Sequence, residues 1–213
     1  MMELQPSVIT RIDEARHALG LLALEAVLAL AERGNVILDP FSTLIAAHAR
    51  IGTGNVFYPC VTLHGAVPGA LLIGDGNTFH SGTWLAAETG TIAIGDGNLF
   101  GEGGGFTAKA NRPGGRIVIG DHGRYQGGAS VFGETTLGSG SQLLGAITVD
   151  TCSLAAGGSF RDPDPDRRGA LLKGHGTARG LRLDTGQVIA GNGIFRMEDA
   201  RPQSSFHPKV AHP

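Results

Sequence analysis

Residues 119–149 read IGDHGRYQGGASVFGETTLGSGSQLLGAITV, and a large apolar side chain occupies every sixth position of this stretch. These positions are Ile119, Tyr125, Val131, Leu137, Leu143 and Val149, and a further step of six reaches Ala155. A period of six matches neither an α-helix, which repeats about every 3.6 residues, nor a plain strand, which alternates about every two. A short strand followed by a turn satisfies it, so the pattern predicts a solenoid built from six-residue units.

The same period extends towards the N-terminus, where the motif I-G-x-G-N occurs at residues 51–55, 73–77 and 94–98. Large apolar residues continue each motif at steps of six, namely Phe57 and Leu63, Phe79 and Leu85, and Phe100 and Phe106. If three units complete a triangular coil, the isoleucines of successive motifs stack in one interior column with a spacing of about 4.8 Å. That column contains Ile51, Ile73, Ile94 and Ile119. Glycine and asparagine at the corners suit turns that require a positive φ.

The hexapeptide period is interrupted three times, each time after the third unit of a coil. The steps lengthen to ten, nine and thirteen residues, between Leu63 and Ile73, Leu85 and Ile94, and Phe106 and Ile119. We therefore predict loop insertions that stack at one corner of the coil, at residues 64–72, 86–93 and 107–118. Loops that gather on one face of a solenoid are often its binding surface, so this stack is a candidate docking site for partners.

The first part of the chain departs from the repeat. Residues 1–34 predict an N-terminal α-helix, with Ser7 as its N-cap, Gly34 as its C-terminal stop and Gly20 as a point where it can divide. The apolar faces of this helix require cover from water. The helix is therefore expected either to cap the open end of the solenoid or to contact another subunit.

The last part of the chain is also irregular. The segment RDPDPDRRG at residues 161–169 predicts a polar loop, because its prolines block strand pairing. The step of six then resumes and predicts a last coil, at Leu183, Ile189 and Phe195. Residues 198–213 are polar and predict a C-terminal tail or docking strand. The predicted fold class is an all-β solenoid, a left-handed parallel β-helix of hexapeptide repeats over residues 35–197, with an N-terminal α-helix.

The composition excludes several classes of function. Glycine occupies 35 of the 213 positions and aromatic residues 6%, which fits many tight turns around a narrow aliphatic core. The net charge of −2 includes no long basic run, which argues against nucleic acid or an acidic membrane as a partner. The longest apolar run, at residues 18–31, contains Glu25 and predicts neither a membrane span nor a secretory signal. Cys60 and Cys152 form no disulfide framework and no metal-type pair, so we expect a reducing, cytoplasmic location.

Three further stretches resemble a known family. They are AETGTIAIGDGNL at 87–99, RIVIGD at 116–121 and LDTGQVIAGNG at 183–193, the last followed by Arg196 and by ARPQ at 200–203. These motifs are similar to those of the dynactin pointed-end subunits, within the hexapeptide-repeat, or isoleucine-patch, superfamily. That superfamily also contains acyltransferases, γ-class carbonic anhydrases and non-enzymatic assembly subunits. The resemblance covers roughly residues 45–203 and implies the fold more strongly than an activity, because the motifs encode turns and core.

Histidines are the candidate catalytic residues. A γ-class carbonic anhydrase would bring three histidine metal ligands, two of them in the motif G-H-x-x-x-x-H. Here Asp121 precedes His122 and Gly127 stands five positions after it, so we predict no metal site. The acyltransferases of the superfamily imply one histidine as general base on a hydroxyl or amine, with acyl-coenzyme A as co-substrate. The candidates for this role are His80 and His122, and we expect these two and His64 on different sides of the coil.

Three hypotheses on function follow from these patterns. The first is a non-catalytic hexapeptide-repeat binding or assembly module that docks partners through its stacked loops or its terminal segments. The alternative is a trimeric coenzyme A-dependent acyltransferase, which is the commonest activity in the superfamily. The third is a metalloenzyme that resembles the γ-class carbonic anhydrases. We expect a homo-oligomer, with a trimer favoured, or a protein partner, and neither nucleic acid nor a membrane.

Overall fold

The computed structural model describes residues 7–207, which form two short helices followed by a left-handed parallel β-helix of hexapeptide repeats. The predicted fold class is therefore confirmed. Helix α1 spans Val8–Ala18 and helix α2 spans Leu24–Glu32. Within the described residues, no helix combines the length and the apolar character that crossing a membrane requires.

The strands form three faces, and most coils contribute one strand to each face. The first face contains β1 Val36–Ile37, β4 Val56–Phe57, β7 Thr78–Phe79, β10 Leu99–Phe100, β13 Arg124–Gln126 and β16 Gln142–Leu144. The second face contains β2 Leu44–Ile45, β5 Thr62–Gly65, β8 Thr83–Ala87, β11 Phe106–Ala110, β14 Ala129–Phe132 and β17 Ile147–Asp150. The third face contains β3 Arg50–Ile51, β6 Leu71–Ile73, β9 Thr91–Ile94, β12 Arg116–Ile119, β15 Thr135–Leu137, β18 Ser153–Leu154 and β20 Arg182–Leu183.

The last coils use longer strands. Strand β19, Leu171–Arg179, pairs with β16 through its first residues and with β17 through its last, so it turns the corner between the first and second faces. Strand β21, Gln187–Ile194, stacks on β19 in parallel. The short strand β22, Arg201–Pro202, then pairs with the beginning of β21 in the antiparallel direction. Single 3-10 turns occur at Pro165–Arg167, Met197–Asp199 and Gln203–Ser205.

Equivalent side chains stack in columns inside the coil. On the third face the predicted isoleucine column is present in direct register, and it comprises Ile51, Ile73, Ile94 and Ile119. The first face stacks four aromatic rings with neighbouring centroids 5.0 to 5.2 Å apart, namely Phe57, Phe79, Phe100 and Tyr125. Burial of one such side chain stabilises the fold by about 1.5–3 kcal/mol. The columns therefore supply most of the driving force that holds the coils together.

Two interior positions differ from the prediction. Ala108, rather than Phe106, lies in register with Leu85 and Val131, because the glycine-rich turn at residues 101–105 lengthens that corner. Phe106 is buried all the same, and its ring packs against the aromatic column.

The second difference lies further along the chain. Leu154, rather than Ala155, pairs with Leu137 and is buried. The corner before Leu154 contains Thr151, which adopts a φ of 56°, and the step from Val149 is one residue short of the period.

A ladder of buried asparagines follows the corner between the third and first faces. Each amide nitrogen donates to the amide oxygen of the asparagine one coil before it, at 3.0 to 3.1 Å, in the series Asn35, Asn55, Asn77 and Asn98. The prediction that these asparagines adopt a positive φ is wrong, since the glycine before each one does so instead; Gly76 has a φ of 64°. The ladder satisfies amide groups that burial would otherwise leave unpaired.

Loops of successive coils stack at the corner between the second and third faces. They occupy residues 66–70, 88–90 and 111–115, which is less than the predicted insertions because the flanking strands extend into them. The backbone amide of Ala66 donates to the carbonyl of Ala87 at 3.0 Å, which ties the first loop to the second coil. Hydrogen bonds of this kind keep the loops aligned along the corner.

The two helices lie at the N-terminal end of the coil. The Ser7 hydroxyl accepts a hydrogen bond from the amide of Thr10 and caps α1. The chain turns after α1 at Gly20, whose φ is 69°. Leu30 of α2 belongs to the same buried cluster as Ile45 and the rest of the interior, so α2 packs on the first coil.

Candidate functional site

His80 lies at the corner between the first and second faces, directly after β7. Its imidazole is half-buried and stacks on the ring of Tyr58, with 4.5 Å between the ring centroids. Its backbone carbonyl accepts a hydrogen bond from the Thr83 hydroxyl at 2.7 Å. The side chain is thus packed along the outside of the coil by the residue of the preceding coil.

His122 lies at the corner between the third and first faces, directly before β13. It takes the place of the second glycine in the repeated I-G-D-G turn and adopts a φ of 55°. Its side chain is exposed and borders a cleft of about 320 Å³. Leu99, Ser159, Phe160 and Arg161 line the same cleft. His80 and His122 therefore occupy different corners, and one chain does not bring them together.

Metal-ligating side chains do not converge anywhere within residues 7–207, where no three His, Cys, Asp or Glu residues are grouped closely enough to hold an ion. His64 projects from β5 into an apolar cleft of about 320 Å³ beside Trp84 and Leu44. The ammonium group of Lys109 lies 3.5 Å from the centre of the Trp84 ring, so this face also carries a cation–π contact.

The stacked loops form a shallow furrow of about 260 Å³. It is lined by small and apolar residues, which include Val67, Pro68, Gly90 and Gly115. Val67 is 59% exposed. Docking of a partner at this corner remains a prediction.

A cationic cleft of about 270 Å³ lies on the outside of the first face, where the segment between β18 and β19 folds back over the strands. Its lining residues are Arg124, Gln142, Leu144, Phe160, Arg168, Leu171, Lys173, Gln203 and His207. Three of these carry a fixed positive charge, and no aspartate or glutamate is among the lining residues that the structure describes. The cleft therefore favours a negatively charged ligand.

Arg124 carries one of the three positive charges of the cleft. Its guanidinium carbon lies 4.8 Å from the centre of the Phe160 ring, and its Nε atom is buried without a hydrogen-bond partner. Burial lowers the pKa of the Arg124 guanidinium, while the nearby Glu102 carboxylate acts in the opposite direction. An unpaired buried donor is costly, and an anionic oxygen would supply the partner that this donor lacks.

Gln203 is a buried polar residue of the same cleft lining. It is 1% exposed, and its amide nitrogen donates to the carbonyl oxygen of Gly169 at 2.8 Å and to that of Gln187 at 3.4 Å. Its amide oxygen is buried without a partner. Two residues that line the cleft thus each carry a buried polar atom, one donor and one acceptor, that the described residues leave without a partner.

Sequence reasoning missed the cationic cleft. The sequence predicts only a polar loop at 161–169, whereas in the structure Arg168 donates from its Nε to the carbonyl of Asp162 and lines the cleft on the first face. A signal was nevertheless present: Phe160 is a single aromatic residue at the start of a charged, proline-rich segment, which is typical of an anchor. The outward position of Arg124, between Leu99 and Gln142 of the neighbouring coils, was a second signal.

Among known proteins, the chain is similar to several of solved structure. No family model matches the chain, and no curated protein matches it. Fifteen chains of solved structures do match, among them the crystal structure of a hexapeptide transferase family protein from Anaplasma phagocytophilum. The two sequences are 16% identical, and the match covers 78% of this chain and 81% of the transferase family protein. The TM-score is 0.24. The chain is a hexapeptide-repeat β-helix. Its strand register, rather than this weak likeness, defines the fold.

Proposed function

We propose that the protein is a non-catalytic hexapeptide-repeat binding module that holds a small anionic ligand in the cationic cleft. The observation that carries the proposal is the lining of the cleft, where Arg124, Arg168 and Lys173 bring three positive charges together and the Nε of Arg124 is buried without a partner. A buried donor of a charged group without a partner costs free energy. An anion offsets that cost, because charge-assisted hydrogen bonds are the stronger ones.

The apolar part of the cleft supports the same proposal. Leu144, Leu171 and Phe160 line it beside the cations, so a ligand seated there displaces water from apolar surface. Coulomb attraction is stronger where water is excluded, so the charges act on a bound anion more strongly than they would on an open surface. Glu102 is the charge that opposes this effect, through its attraction for Arg124.

The resemblance to the dynactin pointed-end subunits supports a binding or assembly role. We propose that the protein with its bound anion forms a homo-oligomer, with a trimer favoured. The alternative is that it docks a protein partner through its stacked loops or its terminal segments. The furrow along the stacked loops is a candidate contact surface, because its residues are small and partly exposed. A cytoplasmic location remains part of the proposal.

The test of the proposed function is calorimetric titration of the full chain with inorganic phosphate at low ionic strength. We expect saturable binding that weakens at least about tenfold in Arg124→Met, which corresponds to about 1.4 kcal/mol. Arg182→Gln is the matched control, because Arg182 is exposed on the third face and lines none of the clefts described above. Equally strong binding in Arg124→Met contradicts the proposal, and so does the absence of binding both to phosphate and to the other small anions tested below.

A second candidate function is acyl transfer, favoured by the position of His122. Its cleft shares Phe160 with the cationic cleft, so the phosphates of coenzyme A and a general base have a place on one surface. The imidazole would take the proton of an acceptor hydroxyl or amine as that group attacks the thioester carbonyl, and the thiol would leave with a proton. His80 lines neither of these two clefts.

Titration with acetyl-coenzyme A separates this candidate from simple anion binding. Saturable binding with acetyl transfer to a small amine, lost in His122→Ala and kept in His80→Ala, would replace the leading proposal. Stoichiometric zinc or iron in the purified protein would instead favour the metalloenzyme, the third hypothesis.

A further inference from the structure

We infer that the ligand of the cationic cleft is an oxyanion that also carries a hydroxyl hydrogen-bond donor. This inference rests on the proposed function and adds the chemical class of the ligand. It follows from the orientation of one buried amide, that of Gln203, which lines the cleft together with the basic residues.

The orientation of the Gln203 amide is fixed by its neighbours. The nitrogen faces two carbonyl oxygens, those of Gly169 and Gln187, at 2.8 and 3.4 Å. A flipped amide would place its oxygen against two other oxygens, which is repulsive, so the hydrogen-bond pattern assigns the nitrogen to that side. The amide oxygen must then occupy the remaining side, where it has no partner.

An amide oxygen can only accept hydrogen bonds. Gln203 is 1% exposed, so bulk water has little access to that oxygen. A ligand that is anionic but has no donor would satisfy Arg124 and leave Gln203 unpaired. A ligand with both groups satisfies both atoms, and sites with a buried acceptor discriminate strongly in favour of the ligand that donates to it.

Two sources of this chemistry fit a cleft of about 270 Å³. Phosphate keeps at least one P–OH proton at neutral pH, whereas sulfate has lost both of its protons. A 2-hydroxycarboxylate carries its donor on the adjacent carbon, whereas a simple carboxylate has none. Phosphate can therefore be compared with sulfate, and a 2-hydroxycarboxylate with a simple carboxylate. In each pair the main difference is the hydroxyl hydrogen-bond donor.

The experiment measures the affinity of the full chain at neutral pH for two matched pairs of anions, phosphate against sulfate and glycolate against acetate. We expect the donor-bearing member of at least one pair to bind at least about tenfold more tightly, and the pair with the larger ratio identifies the source. Equal binding of both members in both pairs overturns the inference and leaves the proposed function intact. Binding of none of the four anions overturns the proposed function.

A variant tests the role of Gln203 itself. In Gln203→Met we expect the ratio within the preferred pair to fall below about threefold, while the affinity for sulfate or acetate changes little. Arg182→Gln should keep the wild-type ratio. An unchanged ratio in a folded Gln203→Met protein overturns the inference. If this variant does not fold, the two pairs measured on the unaltered chain decide the question.

Discussion

Arg16 is a buried cation that holds the N-terminal segment onto the coil. It is 4% exposed, and its guanidinium donates to the backbone carbonyls of Leu22, Pro40, Phe41 and Thr43 at 2.9 to 3.3 Å. A planar group with five donors suits such a convergence of acceptors. The contact joins α1 to the loop before β2, which the sequence places more than 20 residues away.

Replacement of Arg16 by methionine should therefore destabilise the protein strongly. We expect the free energy of unfolding to fall by about 3 kcal/mol, because several buried carbonyl oxygens lose their donor. Denaturant titration measures the change, and Arg11→Met on the exposed side of the same helix is the control. A loss as small in Arg16→Met as in the control would show that water replaces the guanidinium.

Tyr125 should make stability fall at alkaline pH. Burial raises the pKa of its phenol well above the ordinary value of 10.0, against the effect of its 3.1 Å hydrogen bond with Ser141. The unfolded chain therefore releases this proton first, so the contribution of Tyr125 to stability is complete below pH 10 and is lost as the pH rises towards the folded pKa.

The expected slope for this group is about 1.4 kcal/mol per pH unit above pH 10. Denaturant titrations between pH 8 and 11.5 should show this slope in the unaltered protein and a shallower one in Tyr125→Phe. Parallel curves would mean that the phenol ionises in the folded state. Tyr125→Phe removes only the hydroxyl from the aromatic column, so the column itself remains as the common reference.

At the scale of the elements, glycines decide how closely the last coils approach. A Cβ atom on Gly174 in β19 would lie 1.9 Å from the carbonyl oxygen of Gly191 in β21, and the φ of Gly174 is 121°. Gly191 itself has open space where its Cβ would be. The two glycines are paired in register, yet only the first is expected to be indispensable.

We therefore expect Gly174→Ala to lower the free energy of unfolding by about 3 kcal/mol, because strain and overlap add. Gly191→Ala should change it by no more than about 0.5 kcal/mol. Thermal or denaturant unfolding of both variants measures the difference. Similar losses in both would indicate that the last two coils are farther apart in solution.

The element scale also shows where sequence reasoning stops. The isoleucine column was predictable because the six-residue repeat shows directly which side chain of each unit points inward. The register of Ala108 was not, since the glycine-rich sequence at 101–105 does not reveal how many residues its turn uses. The asparagine ladder was also missed in its true role, because its hydrogen bonds join Asn55 to Asn77 across a whole coil.

At the scale of the whole molecule, the fold was predictable and the candidate site was not. The cationic cleft joins Arg124, Arg168 and Gln203, which come from three distant parts of the chain. They meet because the polar loop folds over the first face and because β22 brings the tail to β21. Such meetings depend on tertiary closure and have no fixed spacing in the sequence. The two histidines, by contrast, were candidates through a family resemblance and lie at separate corners.

The oligomeric state is a prediction at this scale. One chain of 21.9 kDa exposes large apolar side chains on its faces, with Leu19 68% and Trp84 42% exposed. Association that covers such residues is favourable, and we predict a trimer. Sedimentation equilibrium at micromolar concentration should therefore give three times the mass of the chain. A monomeric mass that persists as the concentration rises would contradict the prediction.

The reversal of chain direction at β22 has a consequence for growth from end to end. A stack of parallel strands is a template, since its last rung offers the same hydrogen-bonding groups as every rung before it. Arg201 and Pro202 pair with the beginning of the last strand, β21, in the antiparallel direction. Proline has no amide hydrogen that could pair with a further strand. The packing of α2 on the first coil covers the other end. Both contacts should therefore oppose the end-to-end association of two copies of the chain.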